Sequence, residues 1–253
     1  MPRRASELAT RFTPGSTQEA LAELAGIQLA PKQIRRLVNE VGQARVAERD
    51  EAVEQLKAMT LPARRAGSQA HTPPSLAVIS MDGGRYQRRD NFRGQPQREE
   101  RGTHWRETKV GSLLSMASEV HASDPMPDLP EWLLNSEAVA ELAKIAEKSA
   151  SGDQRQRSEH ASSAPDASLH YEPPELLSRE VIATSADAES FGWQLEARAW
   201  QLGFPAAAKQ AFVADGLPVD WTIQRKHFAK AVAVLDLMHA LSYAWSAAFA
   251  VDG

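Results

Sequence analysis

Two apolar runs in this chain end in the same dipeptide, and that pairing limits the possible architecture more than any other feature. LAVISM at 76–81 runs into Asp82-Gly83-Gly84, and KQAFVA at 209–214 runs into Asp215-Gly216. A short apolar run stopped by turn formers reads as a buried strand. A third run, AVAVL at 231–235, leads to Asp236 and His239 and is expected to be a strand ending at those residues. Helical patterns separate the runs, so an α/β fold is expected, with a mixed sheet covered by helices on both faces.

Other segments fill in this layout. WRETKVGSLLSM at 105–116 is expected to supply one or two further strands, and SEAVAELAKIAEKSA at 136–150 a helix capped by Ser136. Residues 151–174 are rich in Ser, Asp, Gln and Pro and read as a flexible insertion. SREVIATSADAESFGWQLEARAWQLGF at 178–204 reads as one helical stretch stopped by Gly203 and Pro205. WTIQRKHF reads as a turn or short helix, and ALSYAWSAAFAVDG begins another helix. Trp193, Trp200, Phe204, Trp221 and Trp245 lie in helical or turn contexts and are expected in the core.

The N-terminal region has a different character. Residues 1–61 are helical in pattern, and residues 62–75 (PARRAGSQAHTPPS, from Pro62) read as a linker to a second region at 76–253. QEALAELA is followed by Gly26, and Pro31 opens PKQIRRLVNEVG, whose apolar face is Ile34, Leu37, Val38 and Val41. RVAERDEAVEQLKAM reads as a third, highly charged helix. Two helices joined by a glycine turn, the second carrying Lys32, Arg35 and Arg36, have the outline of a helix-turn-helix that contacts DNA.

Composition removes several classes of function. The 253 residues contain no cysteine, which excludes disulfides, thiolate zinc sites and cysteine nucleophiles and fits a reducing cytoplasm. No apolar run approaches the roughly 18 residues of a membrane span, and no secretory h-region is present, so no membrane association is expected. The net charge of −4 gives no global attraction to nucleic acid, so DNA contact must come from local patches. One such patch is the segment 85–109, which includes Arg85, Arg88, Arg89 and Arg106. Guanidinium groups there could pair with phosphate oxygens.

Carboxylates at strand ends suggest a particular chemistry. If the strands carrying Asp82 and Asp215 are neighbours, their oxygens meet at one edge of the sheet. Mg²⁺ or Mn²⁺ prefers such hard oxygen ligands and keeps positions open for water and phosphate. Ions held this way can drive phosphoryl transfer.

VISMDGG, HWRETKVGSLLSM, DPMPDLPEWLLN, FVADG and IQRKHFAKAVAVLDLMHALSY, taken in order and spacing, resemble transposases of the Kra-type insertion-sequence family. AELAGIQLAPKQIRRLVNEVG and ARVAERDEAV resemble that family's opening helical region, and the similarity runs from about residue 17 to residue 243. The resemblance implies an RNase H-like catalytic domain of the DDE type, preceded by a small all-α helix-turn-helix-like domain. It implies Mg²⁺ (or Mn²⁺) as cofactor, the DNA ends of an insertion sequence as partner, and a homo-oligomer assembled on that DNA. Asp82 matches the first catalytic carboxylate and Asp215 the second. Asp236 and His239 match an Asp-x-x-His motif with a supporting role. The family's third carboxylate is a glutamate on a later helix, whereas no glutamate follows Glu196 here. Asp220 is set aside as lying in a turn close to Asp215. The chain is therefore expected to be catalytically incomplete by itself, a C-terminally truncated transposase.

Two alternatives belong to other classes. One is a DNA-binding remnant or regulator that uses only the helical region. The other is an actin-like ATPase or kinase, which also places Asp-Gly at strand ends. That fold wants a small hydroxyl residue soon after the first glycine, where this chain has Arg85, Tyr86 and Gln87.

Overall fold

The structure is a computed structural model that describes residues 2–87, 105–123, 125 and 172–252. The chain divides into two compact units, Met1–Thr60 and Leu61–Gly253. Among the described residues no helix is long and apolar enough to cross a membrane.

The first unit is helical. Helix α1 (Pro2–Ala9), α2 (Pro14–Ala25) and α3 (Pro31–Ala58) enclose Ala5, Leu21 and Ile34, all 2% exposed or less. The Thr13 hydroxyl accepts a hydrogen bond from the Ser16 amide at the start of α2. Gly26 ends that helix at φ 62°, where its own amide and that of Ile27 reach back to Ala22 and Leu21. The two helices expected after Pro31 form one helix of 28 residues. Gly42 does not break it, because ion pairs such as Arg36–Glu40 and Arg45–Glu48 support the exposed face on either side.

The second unit is mixed α/β, with a five-stranded mixed sheet among the described residues. Its elements are α4 (Leu61–Ala66), β1 (Leu76–Gln87), β2 (Trp105–Ala117), β3 (Glu175–Thr184), α5 (Ala188–Gln201), β4 (Lys209–Ala214), α6 (Pro218–His227), β5 (Val232–Leu235) and α7 (Leu237–Asp252). The strand order is β3-β2-β1-β4-β5. β1, β2 and β3 run antiparallel in turn, and β4 and β5 run parallel to β1.

Alternation along the strands explains where the core sits. Ala77, Ile79 and Met81 on β1, Leu113 on β2, and Phe212 and Ala214 on β4 are buried on one face. Phe191 and Leu195 of α5 pack there with Ile223 of α6. The fit is close at Gly111, where an added Cβ would lie 2.4 Å from the Leu195 methyl group. Arg198 of α5 forks onto the Glu180 carboxylate of β3 and fixes the helix to the edge of the sheet.

The opposite face was expected to be helix-covered as well. There the row Val181, Ser112, Ser80, Val213 and Val234 follows from the strand register, and Val181 and Val234 are exposed.

Two local expectations need correction. Residues 175–184 form strand β3, not the start of a helix, and α5 begins only after Asp187, whose carboxylate caps the Ser190 amide at 2.7 Å. The run at 76–81 does not stop at its glycines, since Gly83 and Gly84 continue β1 opposite Lys109 and Thr108. WTIQRKHF, read as a turn or short helix, supplies the end of helix α6 and its capping residue Phe228. The helix expected at 136–150 and residues 151–171 of the insertion expected at 151–174 lie outside the described residues.

Candidate functional site

Parallel pairing of β1 with β4 aligns Ser80 with Val213. Asp82 lies two residues further along β1, and Asp215 directly follows the end of β4, so the pairing brings both aspartates to the same end of the parallel ladder. Adjacent strands lie about 4.8 Å apart, close enough for both groups to approach one ion. β4 ends at Ala214 while β1 continues, which leaves Asp82 exposed at the C-terminal limit of the parallel ladder. Gly216, at φ 100°, turns the chain sharply after Asp215. A Cβ at Gly216 would lie 3.0 Å from Leu235, so the turn is also sterically tight.

Asp220, set aside in the sequence as a turn residue close to Asp215, sits in a helix and joins Asp215. Pro218 opens α6 and Asp220 sits in its first turn, where its Oδ2 accepts the Leu217 amide at 3.1 Å. The same amide lies 3.3 Å from Asp215 Oδ1, which holds the two carboxyl groups together. Asp220 is 4% exposed. Burial, followed by the hydrogen bond and charge of Asp215 and the charge of Asp82, pushes its carboxyl up to about 7. The only hint in the sequence was an acid three residues after Leu217, a pattern that signals a helix cap equally well.

β5 adds the next aspartate. Its register pairs Leu235 with Ala214, and the Asp236 amide extends that ladder by donating to the Ala214 carbonyl at 2.8 Å. Asp215 and Asp236 thus directly follow two adjacent parallel strands, beside the β1 strand that carries Asp82. Asp236 is already engaged locally: its Oδ1 accepts the Met238 amide and its carbonyl accepts the Ala240 amide, starting α7. His239 lies in the first turn of that helix and not at a strand end, with Nδ1 3.2 Å from Asp236 Oδ2. The Asp-x-x-His spacing is therefore that of a helix-capping pair.

The basic candidates divide between faces. The pairs Asp82–Val110, Gly84–Thr108 and Tyr86–Arg106 put Arg106 on the face that carries Asp82. Arg85 pairs with Glu107 and lies on the other face. Arg88 and Arg89 lie outside the described residues. Lys32, Arg35 and Arg36 are exposed near the start of α3 in the first unit, and Arg36 pairs with Glu40 at 2.9 Å.

Asp82 and Asp215 suit a hard divalent cation: both offer oxygen, and Mg²⁺ is commonly held by one or two carboxylates with water and phosphate filling the remaining positions. The crowding that pushes the Asp220 carboxyl up would also be relieved by a positive charge there. Among the described residues no three His, Asp or Glu side chains are arranged to share one ion.

The aromatic residues are mostly structural. Phe204 is 2% exposed, and Trp221 packs on the core beside Phe212. Trp193 instead stands edge-on to His227, with the Arg64 guanidinium 5.0 Å from its ring centre. Comparison with models of known protein families and with curated proteins finds no match for this chain.

Proposed function

We propose that the chain is part of a DDE-type transposase related to the Kra-type insertion-sequence family, with an RNase H-like second unit whose Asp82 and Asp215 hold Mg²⁺ or Mn²⁺. The observation that carries this reading is the parallel pairing of β1 with β4, whose last matched pair, Ser80 and Val213, lies two residues before each of those aspartates. The order β3-β2-β1-β4-β5, with only β2 antiparallel to the central β1, is the arrangement expected of an RNase H-like sheet and supports it. An actin-like phosphotransferase would share that order. The large Arg85 and Tyr86 side chains after the glycines do not suit its phosphate-binding turn.

In this reading the bound ion supplies Lewis-acid activation of a phosphodiester and of the attacking oxygen. Asp82 and Asp215 hold it at the sheet edge. Asp220, tied to the Leu217 amide, braces Asp215, and Arg106 offers a phosphate contact on the same face. Within these residues no glutamate follows Glu196, so the chain by itself lacks the family's third carboxylate.

The first unit supports a second reading, DNA binding without cleavage. Lys32 and Arg35 stand exposed at the N-terminal end of α3, where the helix dipole disfavours positive charge. A bound phosphate would reverse that penalty.

Duplexes taken from the DNA flanking the chain's own coding sequence provide the test. The chain should shift them in preference to scrambled duplexes and should leave the strands uncut in Mg²⁺ or Mn²⁺. No preference for the flanks would end the transposase reading. Efficient cutting that disappears in Asp82→Ala would show that the residues present here suffice for cleavage.

A further inference from the structure

A second polar cluster lies away from the aspartates, where α4, the end of α5 and the segment after α6 converge. Glu196 of α5 is its centre. His227 Nδ1 lies 2.7 Å from one Glu196 oxygen, and Arg64 of α4 donates to the other. Burial alone would raise the Glu196 carboxyl, but the hydrogen bonds from His227 and Arg64 outweigh it and hold the group below the usual carboxylate range. The His227 side chain is 1% exposed, and its Nε2 is buried without a partner.

This triad forms one wall of a hollow of about 290 Å³, near the lower end of the range for small-molecule pockets. Trp200, Phe204 and Phe228 contribute apolar surface, and Arg65, Lys226 and Lys230 contribute positive charge. The charge balance is one-sided. Arg64 and Glu196 satisfy each other, and Lys226 reaches Glu189 outside the hollow at 2.6 Å. Arg65 and Lys230 are exposed and have no carboxylate partner among the described residues. The dipole of α6 accounts for a cation in its last turn. Arg65 likewise stands in the last turn of α4, whereas Lys230 lies beyond the end of α6, where no helix terminus accounts for it.

We propose that this hollow binds a nucleotide phosphate, with Arg65 and Lys230 on the phosphate and the apolar wall against the base. The nucleotide is either free or the 5′-phosphorylated end of a DNA strand. The location is distinct from the aspartate edge. Gln210 lines the hollow at the start of β4 and Asp215 follows its end, a separation of roughly 16 Å along the strand.

The test measures binding of AMP, of 5′-phosphorylated oligo(dT) and of the same oligomer with a 5′-hydroxyl, in EDTA. Without metal, the outcome does not depend on Asp82 and Asp215, so failure here and failure of the transposase reading are separable. Arg65→Glu/Lys230→Glu is the comparison variant. Both side chains are exposed, and an unchanged melting curve verifies its fold. The intact chain should bind AMP, or the phosphorylated oligomer in preference to the hydroxyl form, and the variant should lose about tenfold or more of that affinity. AMP binding assigns the free nucleotide, and binding of the phosphorylated oligomer alone assigns the strand end. Absence of both, or affinity unchanged in the variant, overturns the proposal.

Discussion

Asp220 is a carboxyl group whose surroundings oppose its ionisation from three directions: burial, Asp215 and Asp82. Its folded pKa, about 7, lies above the ordinary 3.8, so the folded state retains a proton that the unfolded chain releases. The stability this provides is complete below pH 3.8 and is lost as the pH rises to about 7. The lowered carboxyls of Asp187, Glu189 and Glu196 act in the opposite sense, but only under more acidic conditions. In metal-free buffer the melting temperature should therefore fall between pH 5 and pH 8. Asp220→Asn, which keeps an oxygen for the Leu217 amide, should flatten that decline. An equally steep decline in the variant would show that another group is responsible. Gly192 makes a second test at this scale. Alanine is worth up to about 1 kcal/mol over glycine inside a helix. Here its Cβ would stand 2.6 Å from the ring of His227, which Glu196 holds in place. Overpacking of this kind costs roughly 1–3 kcal/mol, so Gly192→Ala should lower stability in chemical denaturation despite its propensity gain.

At the scale of elements, a helical glycine in a different setting should respond with the opposite sign. Gly42 lies within α3, and a Cβ there meets nothing within 4 Å. Gly42→Ala should stabilise the chain by about 0.5–1 kcal/mol and increase its helical circular dichroism signal. A loss of stability would mean that α3 is not continuous through that residue. The same glycine made one helix look like two in the sequence, because propensity is a weak signal that neighbouring ion pairs override. β3 was missed for a related reason. It is an edge strand with Leu176, Leu177 and Val181 all exposed, so no clean alternation marks it off from the helix that follows Asp187. β1, β4 and β5 were legible because each is an apolar run ending near an aspartate. Asp82 and Asp215 were marked by the ends of the first two runs, and the structure makes the strands that carry or precede them neighbours. Asp220 was not, since nothing local reveals that the first turn of α6 folds back over Asp215.

For the molecule as a whole, the aspartate edge concentrates negative charge in a chain whose net charge is already −4. A divalent cation there binds the folded state in preference to the unfolded one, because only folding aligns β1 with β4. The stabilisation follows from mass action: with a dissociation constant of about 1 mM and 10 mM Mg²⁺, it is on the order of 1.4 kcal/mol. In a domain approaching this size that corresponds to a rise of roughly 3–6 °C in melting temperature. The rise should be largest at pH 8, where the repulsion felt by Asp220 is fully developed and the ion relieves most strain. Non-specific screening by Mg²⁺ would also stabilise a chain with excess negative charge, so the comparison must be with equal ionic strength supplied as NaCl. Asp82→Asn/Asp215→Asn should be intrinsically more stable in EDTA at pH 8 and should lose the Mg²⁺-specific increment. A variant that keeps that increment would place the ion elsewhere and remove the basis for metal-assisted chemistry at this edge.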